Sequence, residues 1–405
     1  MTDPAFTLPD LASRPLGGSV PWANDELFAS RDNLISATES VFSPATFGAR
    51  GQVYDGWETR RRREPGHDTA IVRLGVPGVV RGIDIDTSHF IGNFPPEGSV
   101  EACALEGYPD VTQLLAADWR PLVARSPLAG NAHNRFTIEP TDDDAGQLVT
   151  HVRLRIYPDG GVARLRIHGE PVRDPRMLDR GPLDLAGLEN GGLVTDSSNA
   201  FFGSPARLIH PGPARTMGEG WETARRRDDG HDWVELKLAK HGIVRLLELD
   251  LSHFVGNAPG ACEVLGRDTQ GDGEWKVVLT RTDVLPGVRH RFRVTEEFPA
   301  TELRLNVFPD GGMARLRAYG VLTTIGRAEL GRDWFASLPE PFALEVAAIE
   351  AGCSASEAAA LIEGRPWTGD NDAIPPALRS LVLGREGVHP GPHAVASHPL
   401  TSELR

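Results

Sequence analysis

Apolar residues recur at every second position in several short runs of the chain. Ala70, Val72 and Leu74 form one such run, and Val234, Leu236 and Leu238 form another in a register that matches it. This period of two is the signature of β-strands. In "GIDID" from Gly82 and "LLELD" from Leu246 the alternation predicts Ile83 and Ile85 on one face of a strand and Asp84 and Asp86 on the other. Further strands fit "VEACALE" and "HVRLRIYP" in the first half, and "WKVVLTR", "RFRVTE" and "TELRLNVFP" in the second. The 44 glycines and 32 prolines cluster between these runs, where tight turns are needed. No helix-length amphipathic pattern separates the strands, so a β-sandwich is favoured over a parallel α/β sheet. Beyond residue 322 the pattern changes. "PEPFALEVAAIEAG" predicts a helix from about Pro341 that stops at Gly352, and "SASEAAALIEG" adds an S-x-x-E capping box at Ser354.

The chain repeats itself. Trp57 and Trp221 lie 164 residues apart, as do Glu58 and Glu222, His67 and His231, Asp68 and Asp232, His89 and His253, and Asn93 and Asn257. Upstream, "GGSVPWANDELFASRDNLI" at Gly17 matches "GGLVTDSSNAFFGSPARLI" at Gly191 at an offset of 174. Downstream, "IYPDGGVARLRIHG" matches "VFPDGGMARLRAYG" at an offset of 151. Length changes therefore fall between the motifs, where loops belong. The fold expected is all-β: two tandem jelly-roll β-sandwich repeats over residues 15–171 and 188–322, a short helical C-terminal extension over 323–384, and a mobile tail over 385–405.

Composition narrows the setting. A formal charge of −14 argues against nucleic acid as a partner, and no apolar run approaches the roughly 20 residues a membrane helix needs. The opening stretch "MTDPAFTLPD" has neither a basic start nor an apolar core for export, so a cytoplasmic protein is the expectation. Three widely spaced cysteines, Cys103, Cys262 and Cys353, suit core thiols rather than a disulfide framework.

The doubled set "GWETRRRR…GHD…SHFIGN…YPDGGVARLRIHG" and "GWETARRR…GHDW…SHFVGN…FPDGGMARLRAYG" resembles the allantoicase family over about residues 15–322. The resemblance implies two jelly-roll repeats of the galactose-binding, discoidin-like type. It also implies hydrolysis of allantoate to ureidoglycolate and urea in purine breakdown. The helical "GCSASEAAALIEGRPW" is similar to the opening helices of ureidoimidazoline decarboxylases, but no clear counterpart of their catalytic histidine region follows, so a packing or oligomer element is expected.

Allantoate carries a carboxylate and two ureido groups on one carbon, and its cleavage needs a carboxylate clamp and proton transfer to the leaving nitrogen. Expected clamp residues are Arg61 and Arg225 from the runs Arg61–Arg63 and Arg225–Arg227, because a guanidinium fork binds a carboxylate at two points. Asn93, Asn257, Arg164 and Arg315 are further substrate-binding candidates, and Trp57 and Trp221 either line the site or plug the sandwich ends. Proton transfer falls to Glu58, His67, Asp68 and His89 and their partners Glu222, His231, Asp232 and His253. His133 and His290 are weaker candidates. No cofactor is indicated. His67, Asp68, Asp86 and His89 include ligand types for a divalent metal such as manganese, without a spacing that fixes a geometry. A homo-oligomer is expected. The alternatives are a non-catalytic jelly-roll that binds a small ligand, and another ureido or amidino hydrolase. Four tyrosines, few for stacking platforms, count against the first.

Overall fold

The computed structural model describes residues 3–139, 146–178, 181–365, 367 and 374–384. The mobile tail expected at 385–405 lies outside the described residues. Each repeat is organised around one strand of 19 residues, Asp68–Asp86 and Asp232–Asp250. The first six residues of Asp68–Asp86 pair with Leu148–Tyr157, and its N-terminal part also pairs with Ser19–Ala23. A register shift between Arg73 and Gly78 bends the strand. Its last five residues pair with His133–Thr137 on one side and Arg164–Pro171 on the other. One strand thus serves both layers of the sandwich. Glu97–Cys103 and Arg120–Pro127 continue the sheet beyond Leu148–Tyr157. The second repeat copies this arrangement around Asp232–Asp250, with Pro299–Phe308, Arg289–Arg293 and Arg315–Leu322 in the matching places.

The alternation in "GIDID" and "LLELD" is correct in register but not in exposure. Ile83, Ile85, Leu247 and Leu249 are fully buried, yet Asp84, Asp86, Glu248 and Asp250 are also less than a tenth exposed. Side chains of strand His133–Thr137 in the first repeat and of Arg289–Arg293 in the second pair with this polar face. Asp84 accepts from Arg135 and Glu248 from Arg291, so that face is buried by ion pairing rather than by apolar contact.

Each repeat has its own apolar core. Trp57, Val72, Ile83, Leu154 and Leu165 belong to the first, and Trp221, Leu236, Leu247, Leu305 and Leu316 to the second. Leu16 and Val76 of the first repeat join the core of the second, which ties the repeats together.

Among the described residues four helices follow: Thr324–Ser337, Glu340–Ala351, Ala355–Glu363 and Pro376–Leu383. Gly352 ends the second at φ 66°, and Ser354 opens the third in a reciprocal capping box with Glu357. Trp334, Phe335, Val346, Leu378 and Val382 form a helical core that also takes in Leu148 of the first repeat. Helix Thr324–Ser337, absent from the sequence pattern, buries Gly326, Arg327, Gly331 and Ser337 along with its apolar residues. Among the described residues no helix is long and apolar enough to cross a membrane.

Candidate active site

In each repeat the doubled motifs meet around the Pro-Asp-Gly-Gly turn. Glu58 sits in the two-residue strand Trp57–Glu58, paired with Gly161–Val162 directly after the turn. Asn93 places its Nδ2 2.8 Å from Glu58 Oε1, while its backbone carbonyl accepts from the Gly161 N–H at 2.8 Å. Arg62 donates its backbone N–H to Asp159 Oδ2 and its Nη1 to Asp68 Oδ1, at 2.8 and 2.7 Å. The His67 ring lies against Tyr157, with centroids 5.3 Å apart. Glycine is required inside the turn. Gly160 has φ 142°, and a Cβ there would stand 2.7 Å from the Asn93 carbonyl oxygen.

The second repeat reproduces the cluster. Asn257 Nδ2 lies 2.7 Å from Glu222 Oε1, Arg226 binds Asp310 and Asp232 at 2.8 Å each, and His231 packs 4.6 Å from Phe308. In both copies one carboxylate oxygen is left over: Asp68 Oδ2 and Asp232 Oδ2 are buried and have no hydrogen-bond partner among the described residues. Arg61, Arg63, Arg225 and Arg227 are exposed, and among the described residues no ion pair holds them.

Burial shapes the proton affinities. It pushes the Glu58 carboxyl above its ordinary value, with the Asn93 hydrogen bond opposing in part. The His67 imidazole is held below its ordinary value, first by desolvation and then by the Arg155 and Arg62 guanidinium groups.

Several expected site residues have other duties. Trp57 and Trp221 are fully buried, with Nε1 donating to the Asp25 and Asn199 carbonyls, so they plug the sandwich ends and do not line a site. Arg164 and Arg315 are also buried, and their guanidinium groups are taken up by the protein. Arg164 binds Asp55 and the carbonyls of Thr38, Asp55 and Ala163, and Arg315 binds those of Gly212, Glu219 and Ala314. His89 and His253, at φ 70° and 73°, donate Nε2 to the carbonyls of Ser40 and Ala214 and so pin loops. Asp68 and Asp232 are the buried anchors of Arg62 and Arg226.

Sequence reasoning passed over Asn24, Asp25 and Asp159. Asp25 Oδ1 accepts the Arg60 N–H at 2.8 Å and Asn24 Nδ2 binds Asp68 Oδ1 at 2.8 Å. Asn199 Oδ1 and Ser198 Oγ make the matching contacts to the Ala224 N–H and Asp232. The signal was present, because both pairs align at the upstream offset of 174. The copies differ in their cations: Arg60, paired with Asp25, is Ala224 in the second repeat, and Arg155, whose guanidinium disfavours the His67 cation, is Asn306. A cleft of about 750 Å³ lies elsewhere, between both repeats and the helices, and contains none of these residues.

A family profile described as "Allantoicase repeat" matches residues 9–172 and 183–323. The chain belongs to the allantoicase family. It is 55% identical over 318 residues to a protein named "Probable allantoicase" in Nocardia farcinica, a match covering 78% of this chain and 94% of that one. A protein of the same name in Streptomyces coelicolor is 46% identical over 334 residues, covering 79% of this chain and 87% of the relative. Among solved structures, the allantoicase of Saccharomyces cerevisiae superposes with a TM-score of 0.66 at 31% identity, covering 77% of this chain and 92% of the yeast chain. The allantoicase repeats thus account for both sandwiches, and the helices from Thr324 follow the end of the matched region.

Proposed function

We propose that allantoate is bound and cleaved at the cluster around each Pro-Asp-Gly-Gly turn. The activity itself follows from family membership: water and allantoate give ureidoglycolate and urea. The observation that favours this place is the unpartnered buried oxygen of Asp68 and of Asp232, repeated in both copies beside an asparagine-held glutamate and unpaired loop arginines. A buried acceptor without a donor is costly, and a ureido N–H supplies what is missing. Arg61 and Arg225 then take the substrate carboxylate. Glu58, its carboxyl favoured in the protonated form by burial, gives a proton to the leaving urea nitrogen. His67, disfavoured as a cation, takes one from the attacking water. Glu222 and His231 occupy the same positions in the second repeat. A cytoplasmic setting is supported by the free thiols Cys103, Cys262 and Cys353.

The clamp is tested by Arg61→Lys and Arg225→Lys. An ammonium keeps the charge but loses the planar two-point contact, at a cost of roughly 1.5 to 3 kcal/mol, or about ten- to a hundredfold in kcat/KM. Urea release from allantoate, measured with coupled urease, reads the effect. Wild-type kcat/KM in both variants removes these arginines from the site, and urea release from arginine but not from allantoate overturns the substrate assignment.

A further inference from the structure

Another cluster lies at the C-terminal end of strand Asp68–Asp86, where the Asp86 carbonyl accepts from the Ala163 N–H at 2.7 Å. Glu39, Asp86 and His133 bring one donor atom each to within 4.8 Å of one another. Donors bound to one ion at about 2.0–2.2 Å lie roughly 3 to 4.4 Å apart, so the three are close to a coordinating arrangement. Asp86 is 1% exposed, and its register partner on the neighbouring strand is His133. His133 Nδ1 lies 2.9 Å from Asp84 Oδ2; a carboxylate can only accept, so Nδ1 carries the proton and Nε2 is left for a metal. A carboxylate behind a histidine is the usual support for an imidazole ligand. Asp84 is itself 3% exposed, and its Oδ1 has no partner among the described residues.

The second repeat shows what this place requires. There the residue paired with the matching Asp250 is Arg289, whose Nη2 lies 3.0 Å from Asp250 Oδ2 and whose Nε also reaches Glu248. A permanent cation fills the position. In the first repeat a histidine stands instead, and Glu39 adds a carboxylate for which the described residues provide no ion pair. Arg135 is matched by Asp84 and Arg164 by Asp55, so neither is free to replace the missing charge. The loop carrying Glu39 is already fixed. Arg164 Nε holds the Thr38 carbonyl at 2.9 Å, Ser40 Oγ donates to the Asp55 carbonyl at 2.7 Å, and His89 Nε2 donates to the Ser40 carbonyl at 3.0 Å. A ligand on a pinned loop loses little freedom on binding.

We propose that Glu39, Asp86 and His133 bind one divalent transition-metal ion of the Zn²⁺ or Mn²⁺ type, which takes the place that the Arg289 guanidinium holds in the second repeat. The imidazole selects against Ca²⁺ and Mg²⁺, which prefer all-oxygen shells. Of the four ligand-type residues noted in the sequence, only Asp86 belongs to the group. His67, Asp68 and His89 are engaged elsewhere.

The full chain, stripped with chelator and dialysed, is titrated with Mn²⁺ under electron paramagnetic resonance and with Zn²⁺ under thermal unfolding. One saturable Mn²⁺ per chain and a Zn²⁺-dependent rise in Tm are expected. His133→Arg installs the side chain of the second repeat, and should abolish both responses while leaving the metal-free Tm at or above that of the unmodified protein. Glu39→Gln, at an exposed position, should weaken binding at least tenfold, and Asp84→Asn should do so by about ten- to a hundredfold through the histidine. No saturable ion in the unmodified protein, or binding unchanged in both His133→Arg and Glu39→Gln, overturns the proposal.

Discussion

At the scale of single residues, Glu58 carries the sharpest expectation. Its carboxyl lies above the ordinary value because burial penalises the anion, so it holds its proton to a higher pH than a free glutamate does. If Glu58 is the proton donor, kcat/KM for allantoate falls as pH rises through that value, and the alkaline limb belongs to this residue. Glu58→Gln keeps the hydrogen bond to Asn93 in a similar shape but cannot donate the proton. Turnover should drop by about 10²- to 10⁴-fold and the alkaline limb should flatten, while Glu222→Gln reports the second copy separately. A pH–rate profile of both variants checks this, and an unchanged limb in each moves the proton to another group. Glu58 was legible in the sequence because it occurs twice in the same motif. The buried duties of Arg164 and Arg315 were not, since their partners are carbonyls of the segments Thr38–Asp55 and Gly212–Glu219, far away along the chain.

At the scale of elements, the turn at residues 158–161 decides whether Glu58, Asn93 and Asp159 meet at all. Thr59 and Gly160 lock it reciprocally, Thr59 N–H to the Gly160 carbonyl at 3.1 Å and Gly160 N–H to Thr59 Oγ1 at 3.2 Å. Gly160→Ala imposes a positive φ on an L-residue and drives a Cβ against backbone atoms of Asn93 and Pro95 that cannot easily yield. The expected loss is about 2 to 4 kcal/mol of stability together with a fall in turnover, read by denaturant unfolding and urea release, and Gly311→Ala should behave alike. An alanine variant with unchanged stability removes the turn from its organising role. Strands were readable here because a period of two survives even where both faces are buried. What the pattern could not show is how Asp84 and Glu248 become buried, because that depends on ion pairs contributed by strands distant in sequence. Helix Thr324–Ser337 escaped for a related reason: its buried side includes Gly326, Arg327 and Gly331, which carry no apolar stripe.

At the scale of the whole molecule, the helical extension is the part the family does not explain. The Nocardia relative is covered to 94% by an alignment that uses only 78% of this chain, so the excess length is on this side, and the helices begin where the repeat match ends. The residues of the candidate site all precede residue 323, so the extension is expected to act through packing. Arg327 joins the two parts. It is 6% exposed and donates Nη1 to the Val382 carbonyl at 2.6 Å and Nη2 to those of Leu381 and Pro175 at 3.1 and 3.5 Å, so one guanidinium links the first helix, the last helix and the segment after the first repeat. Arg327→Met keeps most of the volume and removes the donors. Buried carbonyls left unpaired cost about 1 to 3 kcal/mol each, which is enough to loosen the helices from the sandwiches. The expected result is an earlier, separate melting step in far-ultraviolet circular dichroism with helical character, followed by unfolding of the sandwiches near the original temperature, while urea release below the first step stays at the wild-type rate. A single cooperative transition, shifted as a whole and accompanied by lost turnover, would instead mean that the helices stabilise the catalytic repeats directly.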